Sequence, residues 1–392
     1  MRVSRADRSR VAEWWFTVDH VLLTTILAIV CAGFVFSLAA SPAVAIKKGL
    51  PTYYFVERHF FFSVAGVVIM LAVSLCTPQA VRRLAVVLFG VSVLAMLAVH
   101  FVGEEIHGAR RWLTFGGHSI QPSEFAKPAF VVIAAWLFAE SQHRVDMPAL
   151  PLAIALAGLF AILLLAQPDV GQTLLITSVW GALYFLSGQP LLGAGIIGLC
   201  GAAGLGFAYT TFDHVRFRID RFLAPAPGDN SQIDRALKSF SEGGFLGRGP
   251  GEGTIKNVLP DAHTDFIFAV IAEEFGIVAC LMLVALFAFV VMRALFKAAQ
   301  EPDAATRLST QALALLFGVQ ALINMGVNVG LLPAKGITLP FISAGGSSML
   351  AVSITLGMLL ALTRRRPDIA RLKKPPVVGS VVGPEPTGSV RR

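Results

Sequence analysis

One carboxylate is the clearest candidate for acid–base chemistry. Asp265 follows the segment PDAHT (residues 260–264), and an apolar stretch of membrane-span length begins directly after it. A charged side chain at such a position is costly, so its default interpretation is functional. Thr264 predicts a helix N-cap with Asp265 in the first turn, where a carboxylate can also simply complement the helix dipole. The residues alone leave both interpretations open, general base and dipole partner.

Three cations are candidates for binding phosphate. Arg111, Lys127 and Lys335 lie between apolar runs or at their ends, and Glu124 accompanies Lys127. Arginine binds phosphate through two parallel hydrogen bonds, whereas lysine acts as a point charge, so the set would suit a diphosphate at a membrane surface. The alternative is structural: Lys127 forms a salt bridge with Glu124, and the long side chains extend to the interface.

Other polar groups occur inside the apolar runs. Glu273 lies about 80° around a helix from Asp265 and about 12 Å along it, whereas Glu274 points nearly opposite. The two glutamates therefore cannot both serve one site with Asp265, and at least one is expected to be paired inside the protein. Asn324 and Asn328 lie four residues apart on one helix face. Hydrogen bonding between packed helices explains that face, and lining a cavity is the alternative.

The composition determines what kind of protein positions these residues. Hydrophobic residues make up 55% of the 392, charged residues only 14%, and the mean hydropathy is +0.71. Soluble domains carry about 25% charged residues, so an ordinary soluble domain, a disordered chain and a disulfide scaffold are excluded. We predict an all-α, polytopic membrane protein with about ten transmembrane helices. The predicted spans are 21–41, 59–77, 84–102, 123–141, 149–167, 171–187, 190–210, 264–292, 308–331 and 342–363.

Charge sets the predicted orientation. Ten spans place both termini on one side, and with the termini inside, the inner segments hold 18 Lys and Arg against 7 outside, the longest loop excluded. The positive-inside rule then makes both termini cytoplasmic. The net charge of +8 comes from the two tails, which would contact the anionic lipids of the inner leaflet. We therefore predict contact with membrane lipid and no nucleic acid partner.

The predicted organisation has three parts. Residues 1–20 form a basic N-terminus, residues 21–363 the ten-span domain, and residues 364–392 a basic tail expected to be disordered. Within the second part, the extracytoplasmic loop 211–263 carries 14 charges, evenly split between acids and bases. Its pattern predicts short amphipathic helices at 219–222 and 233–240, followed by a glycine-rich turning segment at 243–253.

Several motifs in a fixed order carry a resemblance to a known family. They are GARRW (108–112), QPSEFAK (121–127), QPDVG (167–171), GGFLGRG (243–249), LPDAHTDFIF (259–268), EEFG (273–276), NVGLLPAKGITLPF (328–341) and SAGGS (343–347). Together they resemble the SEDS family (shape, elongation, division and sporulation) over most of the chain. The Trp14-Trp15 leader and PGEG at 250–253 are more similar to the division member than to the elongation member.

The resemblance implies an activity and a site. It implies a ten-span peptidoglycan glycosyltransferase that polymerises lipid II at the outer face of the cytoplasmic membrane, during septal wall synthesis. It implies Asp265 as the catalytic residue, Arg111 and Lys127 as cations of an outer cavity, and Lys335 as a further site residue. The implied partners are a class B penicillin-binding protein, which cross-links the strands, and other membrane proteins of the division machinery.

The same residues agree with that chemistry. The acceptor hydroxyl must lose a proton, and polyprenyl diphosphate is already a good leaving group, so one carboxylate base and a few cations suffice in kind. No cofactor is required, although a divalent cation such as Mg²⁺ or Mn²⁺ on Asp265 remains an option. The alternatives are a lipid II flippase and a non-catalytic division scaffold. A flippase needs charged groups reachable from both faces, whereas these are predicted to cluster outside.

Overall fold

A computed structural model describes residues 9–106, 109–115, 118–144, 146–211, 213, 216, 220, 232–333 and 336–365. Twelve α-helices are assigned within these ranges. They are α1 (Arg10–Thr17), α2 (His20–Lys47), α3 (Tyr54–Ser74), α4 (Pro78–Val102), α5 (Pro122–His143), α6 (Ala149–Ala166), α7 (Val170–Leu186), α8 (Leu191–Thr211), α9 (Gln232–Gly243), α10 (Ile267–Ala299), α11 (Ala304–Asn328) and α12 (Gly346–Leu362). The predicted disordered tail after 365 and most of the predicted helix at 219–222 lie outside the described residues.

Most of these helices have the length and hydropathy of membrane spans. Among the described residues, eight are long and apolar enough to cross a bilayer, and two apolar helices of 17 residues, α7 and α12, are shorter. The predicted class, an all-α polytopic membrane protein, is confirmed. One local feature was not predicted. Strands β1 (Glu104–Ile106), β2 (Ala109–Phe115) and β3 (His118–Ile120) form a small antiparallel sheet in the order β1-β2-β3, between α4 and α5.

Helices α5, α11 and α12 are the most buried of the bundle. Over the most apolar 18-residue stretch of each helix, 83% of the residues are buried in α5 and 72% in α11. The corresponding share is 28–39% in α2, α3, α4 and α10. Helix α5 packs against α4, α6, α7, α11 and α12, and α11 packs against α5, α7, α9, α10 and α12. Polar residues on α5 and α11 therefore face other helices rather than lipid. This arrangement places both polar faces inside the protein.

Helix α10 differs from the predicted span 264–292. Thr264 is not its N-cap, because residues 258–266 form turns and bends and the helix begins at Ile267. The residue at the N-cap position is Phe266, whose side chain makes no capping hydrogen bond. The amide of Ala269, in the first turn, donates to Oδ1 of Asn328 at 3.0 Å and also to the carbonyl oxygen of Phe266 at 3.1 Å. Asp265 thus lies just before the helix, and the predicted position in the first turn is wrong.

Helix α10 is interrupted nine residues after its start. Gly276 has φ 77° and ψ 177°, so the helix is interrupted there. A Cβ at this position would lie 2.3 Å from the carbonyl oxygen of Phe245. Only glycine combines this positive φ with such a close approach of another backbone. The glycine-rich segment after α9 therefore packs directly against the break.

Candidate active site

Asp265 is held by its backbone while its carboxylate stays free. Its carbonyl oxygen accepts hydrogen bonds from Nδ2 of Asn324 at 3.0 Å and Nδ2 of Asn328 at 2.9 Å. The carboxylate is half-buried and has no hydrogen bond or ion pair with any described residue, and a Cβ at Gly336 would lie 3.5 Å from its Oδ2. Burial, with a smaller contribution from the charge of Asp261, raises the pKa of Asp265 to about 7. A carboxylate with this pKa can accept a proton near neutral pH.

The segment before Asp265 is fixed from a second side. Ser343 Oγ donates to the carbonyl oxygen of Thr264 at 2.6 Å, and the amide of Ala344 donates to the carbonyl oxygen of His263 at 2.9 Å. The backbone of residues 263–265 is thus held between α11 and the segment that leads into α12. Four hydrogen bonds reach it from α11 and from the segment before α12, and the acidic side chain takes part in none of them.

Lys127 lies in a buried polar network. Its Nζ is 2.9 Å from Oε2 of Glu124 and donates to Oε1 of Gln172 at 2.9 Å and to Oε1 of Gln320 at 3.4 Å. Gln172 in turn donates to Glu124 at 2.7 Å. The Lys127 side chain is only 2% exposed. The Lys127–Glu124 salt bridge, the structural interpretation of these residues, is present, and in this conformation the ammonium group does not face open solvent.

Arg111 lies at the edge of the same region. It donates to the carbonyl oxygens of Gln167, at 2.9 Å, and Pro168, and its guanidinium is 3.4 Å from the carboxylate of Asp169. Gln121 also donates to Asp169 at 3.3 Å. Burial raises the pKa of Asp169, and the charge of Arg111 acts in the opposite direction. The Arg111 side chain is 17% exposed, so one edge of it can still reach a ligand.

The polar face of α11 connects these groups. Nε2 of Gln320 donates to the carbonyl oxygen of Thr338 at 3.1 Å, and Nδ2 of Asn324 donates to that of Ile337 at 2.7 Å. One helical turn thus separates the residue that contacts the buried lysine from the residue that holds Asp265. Two of the predicted site residues contact this face: Lys127 through Gln320 and Asp265 through its backbone. Arg111 instead contacts residues 167–169, just before α7. Lys335 lies outside the described residues, although its neighbour Gly336 is beside Asp265.

Glu273 and Glu274 form a separate ionic cluster. Glu273 accepts hydrogen bonds from the amides of Thr254 at 2.6 Å and Lys256 at 3.3 Å, and Glu274 accepts one from the amide of Gly251 at 2.9 Å. The ammonium group of Lys256 forms an ion pair with Glu274. Both glutamates are buried. The sequence interpretation expected at least one paired glutamate but did not identify Lys256, because nothing in its spacing links a loop lysine to this helix.

The chain is similar to a known protein family over most of its length. The model of the FtsW/RodA/SpoVE family, described as cell cycle proteins, matches residues 19–367. "Probable peptidoglycan glycosyltransferase FtsW" of Caulobacter vibrioides is 46% identical over 367 residues, covering 93% of this chain and 94% of the relative. The protein of the same name from Trichlorobacter lovleyi is 35% identical, covering 94% and 97%.

Solved structures give the same result. A chain of a peptidoglycan synthase complex, studied for its coordination of polymerization and crosslinking, matches with a TM-score of 0.72 and 28% identity, covering 88% of this chain and 97% of that chain. The rod shape determining protein RodA of Thermus thermophilus matches with a TM-score of 0.64 and 28% identity, covering 89% and 97%. The likeness thus extends over nearly the whole fold.

Proposed function

Because the chain belongs to the FtsW/RodA/SpoVE family of cell cycle proteins, we infer that it is a membrane-embedded peptidoglycan glycosyltransferase. We propose lipid II as its substrate, joined into glycan strands at the outer face of the cytoplasmic membrane during septal wall synthesis. The observation that carries the mechanistic part is the Asp265 carboxylate, which is fixed through its backbone and left free at its side chain.

Asp265 is the proposed general base. In the transfer, an oxygen of the acceptor hydroxyl forms a bond to the anomeric carbon, the bond from that carbon to the diphosphate breaks, and the hydroxyl proton passes to Asp265. A base works best when its pKa lies near the working pH, and the pKa of Asp265 is about 7. Base catalysis of this kind contributes about 10²–10⁴-fold to the rate.

The cations retain a proposed role at the diphosphate. Arg111, which keeps an exposed edge, is the proposed direct ligand, and Lys335 is a second one, supported by the place of Gly336 beside Asp265. Lys127 and Glu124 are buried against each other, so we propose that Lys127 adds positive potential and that Glu124 fixes its position. A Mg²⁺ or Mn²⁺ ion would find the single carboxylate of Asp265, since the described residues contain no group of three His, Cys, Asp or Glu residues.

Orientation and partners complete the proposal. With both termini cytoplasmic, Asp265, just before the N-terminal end of α10, faces the cell exterior. Asp19 pairs with Arg293 and Lys297 near the C-terminal end of α10, on the cytoplasmic side. The similar solved chain belongs to a peptidoglycan synthase complex. We propose a class B penicillin-binding protein as the partner that cross-links the product, together with other membrane proteins of the division machinery at the septum.

A gel assay of labelled lipid II with the purified chain tests the proposal, with and without the transpeptidase partner. Asp265→Ala should reduce polymerisation by about 100-fold or more while leaving thermal stability unchanged, because the side chain makes no contact that holds the fold. Asp146→Ala, an exposed acid between α5 and α6, is the matched control and should polymerise normally. Polymer at the normal rate from Asp265→Ala would overturn the base. No polymer from the wild-type chain with its partner would leave the flippase and scaffold alternatives.

A further inference from the structure

A cavity of about 180 Å³ lies at the N-terminal end of α3, next to His263. We call it the α3 cavity. It is lined by Arg58, His59 and Phe62 of α3, by His263, and by Gly345 and Gly346 at the start of α12, among others. A liquid water takes up about 30 Å³, so the cavity has room for a group the size of a diphosphate. Asp265 does not line it.

The cavity contains buried polar atoms without partners. His59 is 2% exposed, and neither of its ring nitrogens has a hydrogen-bond partner among the described residues. His263 is 5% exposed, and its Nδ1 likewise has none. Buried polar groups are nearly always hydrogen-bonded. Two histidines that both line one cavity with free ring nitrogens therefore point to a polar occupant.

The charge around the cavity selects an anion. No side chain caps the first turn of α12, which begins at Gly346, and free amides at a helix N-terminus carry partial positive charge and bind phosphate. Arg58 lies with its guanidinium 5.8 Å from the centre of the Phe62 ring and forms no ion pair with a described carboxylate. Among the described residues, no Asp or Glu lines the cavity. Of the lining residues that the structure describes, Arg58 is the one with a charged side chain, and its charge is positive.

Glycine keeps the helix terminus accessible. A Cβ at Gly346 would lie 2.8 Å from atoms of the Phe62 ring, so a larger residue would push this ring against the cavity wall. Below the cavity, α3 exposes Phe60, Phe61, Val64 and Val68. Helix α3 has the length and hydropathy of a membrane span, so this apolar surface faces lipid. An anion bound here can be attached to a hydrocarbon chain that runs along α3.

We propose that the α3 cavity binds the diphosphate group of a polyprenyl lipid. This inference rests on the proposed function: the bound lipid is the second of the two lipid-linked sugars that one transfer joins. His263, which lines the cavity, is only two residues from Asp265. Arg58 and the amides of α12 hold the phosphate oxygens, and the ring N–H groups of His59 and His263 donate to them. Burial, with a contribution from Lys48, lowers the pKa of His263 to about 4, so its neutral ring acts as a hydrogen-bond donor.

Photolabelling of the full chain in nanodiscs tests this site without reference to activity. The probe is a C15 polyprenyl diphosphate with a benzophenone in its chain, and mass spectrometry measures labelling of the peptides that contain α3 and residues 340–350. We expect Arg58→Gln and His59→Phe to reduce this labelling about tenfold or more, since each removes a hydrogen bond to a charged group. Ala344→Phe, which fills the cavity without removing a charge, should have the same effect. Arg110→Gln, on an exposed arginine paired with Glu105, should not.

The competitors identify the source of the anion. An unlabelled C15 diphosphate should compete well, the corresponding alcohol hardly at all, and inorganic pyrophosphate only at a much higher concentration. Equal competition by pyrophosphate would overturn the lipid assignment, and equal labelling of all variants would overturn the site. A wild-type chain that binds the probe in this cavity but makes no glycan would contradict the proposed function and leave this inference standing. Because Ala344→Phe and Arg58→Gln alter the cavity in different ways, misfolding of one variant still leaves the other as a test.

Discussion

Two groups of acidic residues lie on either side of the start of α10, and their surroundings are opposite. Glu273 and Glu274 are fully buried, and their carboxylates accept hydrogen bonds from backbone amides and, for Glu274, pair with Lys256. Asp265 is half-buried, and its carboxylate has no partner among the described residues. Eight residues of chain separate a carboxylate that is completely satisfied from one that is free.

The difference separates structural acids from a reactive one. The glutamates bind backbone amides within residues 251–256 and thereby fix the loop that leads into the site. Because their oxygens are occupied, they have little capacity left to accept a substrate proton. Asp265 depends on backbone hydrogen bonds for its position, so its side chain can change protonation state without loss of a structural contact. Stability should therefore depend on the first group and activity on the second.

The largest effect on stability is expected at Lys256. Lys256→Met leaves the Glu274 carboxylate buried without its cation, which costs about 3–5 kcal/mol. Thermal unfolding of the detergent-solubilised chain measures this as a lowered Tm. Combining Lys256→Met with Glu274→Met should recover most of the loss, because no unpaired buried charge then remains.

Lys238→Met is the matched control for this variant. Lys238 lies exposed on α9 and should have almost no effect on the Tm. A Tm for Lys256→Met equal to that of Lys238→Met would show that the buried ion pair does not hold the loop, and the proposed division between the two acidic groups would fail.

An intermediate effect on both properties is expected at Asn328. Its Nδ2 donates to the carbonyl oxygen of Asp265 and its Oδ1 accepts from the amide of Ala269. Asn328→Ala removes one of the two hydrogen bonds to the Asp265 carbonyl and one of the two from the Ala269 amide. The loss of both should cost about 1–3 kcal/mol. The substitution also loosens the backbone of the base, so kcat should fall by about tenfold to a hundredfold with a smaller change in KM.

Asn257→Ala controls for this substitution. Asn257 is exposed in the 3₁₀ turn Ile255–Asn257, and its truncation should leave both stability and kcat near the wild-type values. If Asn328→Ala lowers the Tm but leaves kcat unchanged, the asparagines support the fold without positioning Asp265.

The sequence predicted the architecture of this protein better than its local geometry. Apolar runs gave the class of fold because a helix in lipid needs about 20 apolar residues, whatever its neighbours are. The sheet around β2 was missed, since its short strands connect helices and lack a long alternating pattern. The N-cap at Thr264 was wrong because Asn328, 64 positions away in the chain, accepts from an amide in the first turn of α10.

The candidate site shows the same limit. Asp265 was identified from its place before an apolar run, which is a local property of the chain. Its free carboxylate depends on hydrogen bonds from α11 and the segment before α12, which spacing cannot reveal. The partners of Lys127 beyond Glu124, namely Gln172 and Gln320, come from two other helices. The diphosphate-binding roles of Arg111 and Lys335 stay predictions.

The pH dependence of lipid II polymerisation tests the central claim most directly. Asp265 accepts a proton only when it is ionised, so with a pKa of about 7 the rate should rise as pH increases through 7 and, at pH 6, be about a tenth of its plateau. Because the charge of Asp261 raises the pKa of Asp265, Asp261→Asn should move the midpoint to lower pH, a shift that titration of the substrate cannot produce. A rate that is flat between pH 5.5 and 8, or a midpoint that Asp261→Asn leaves in place, would contradict Asp265 as the base.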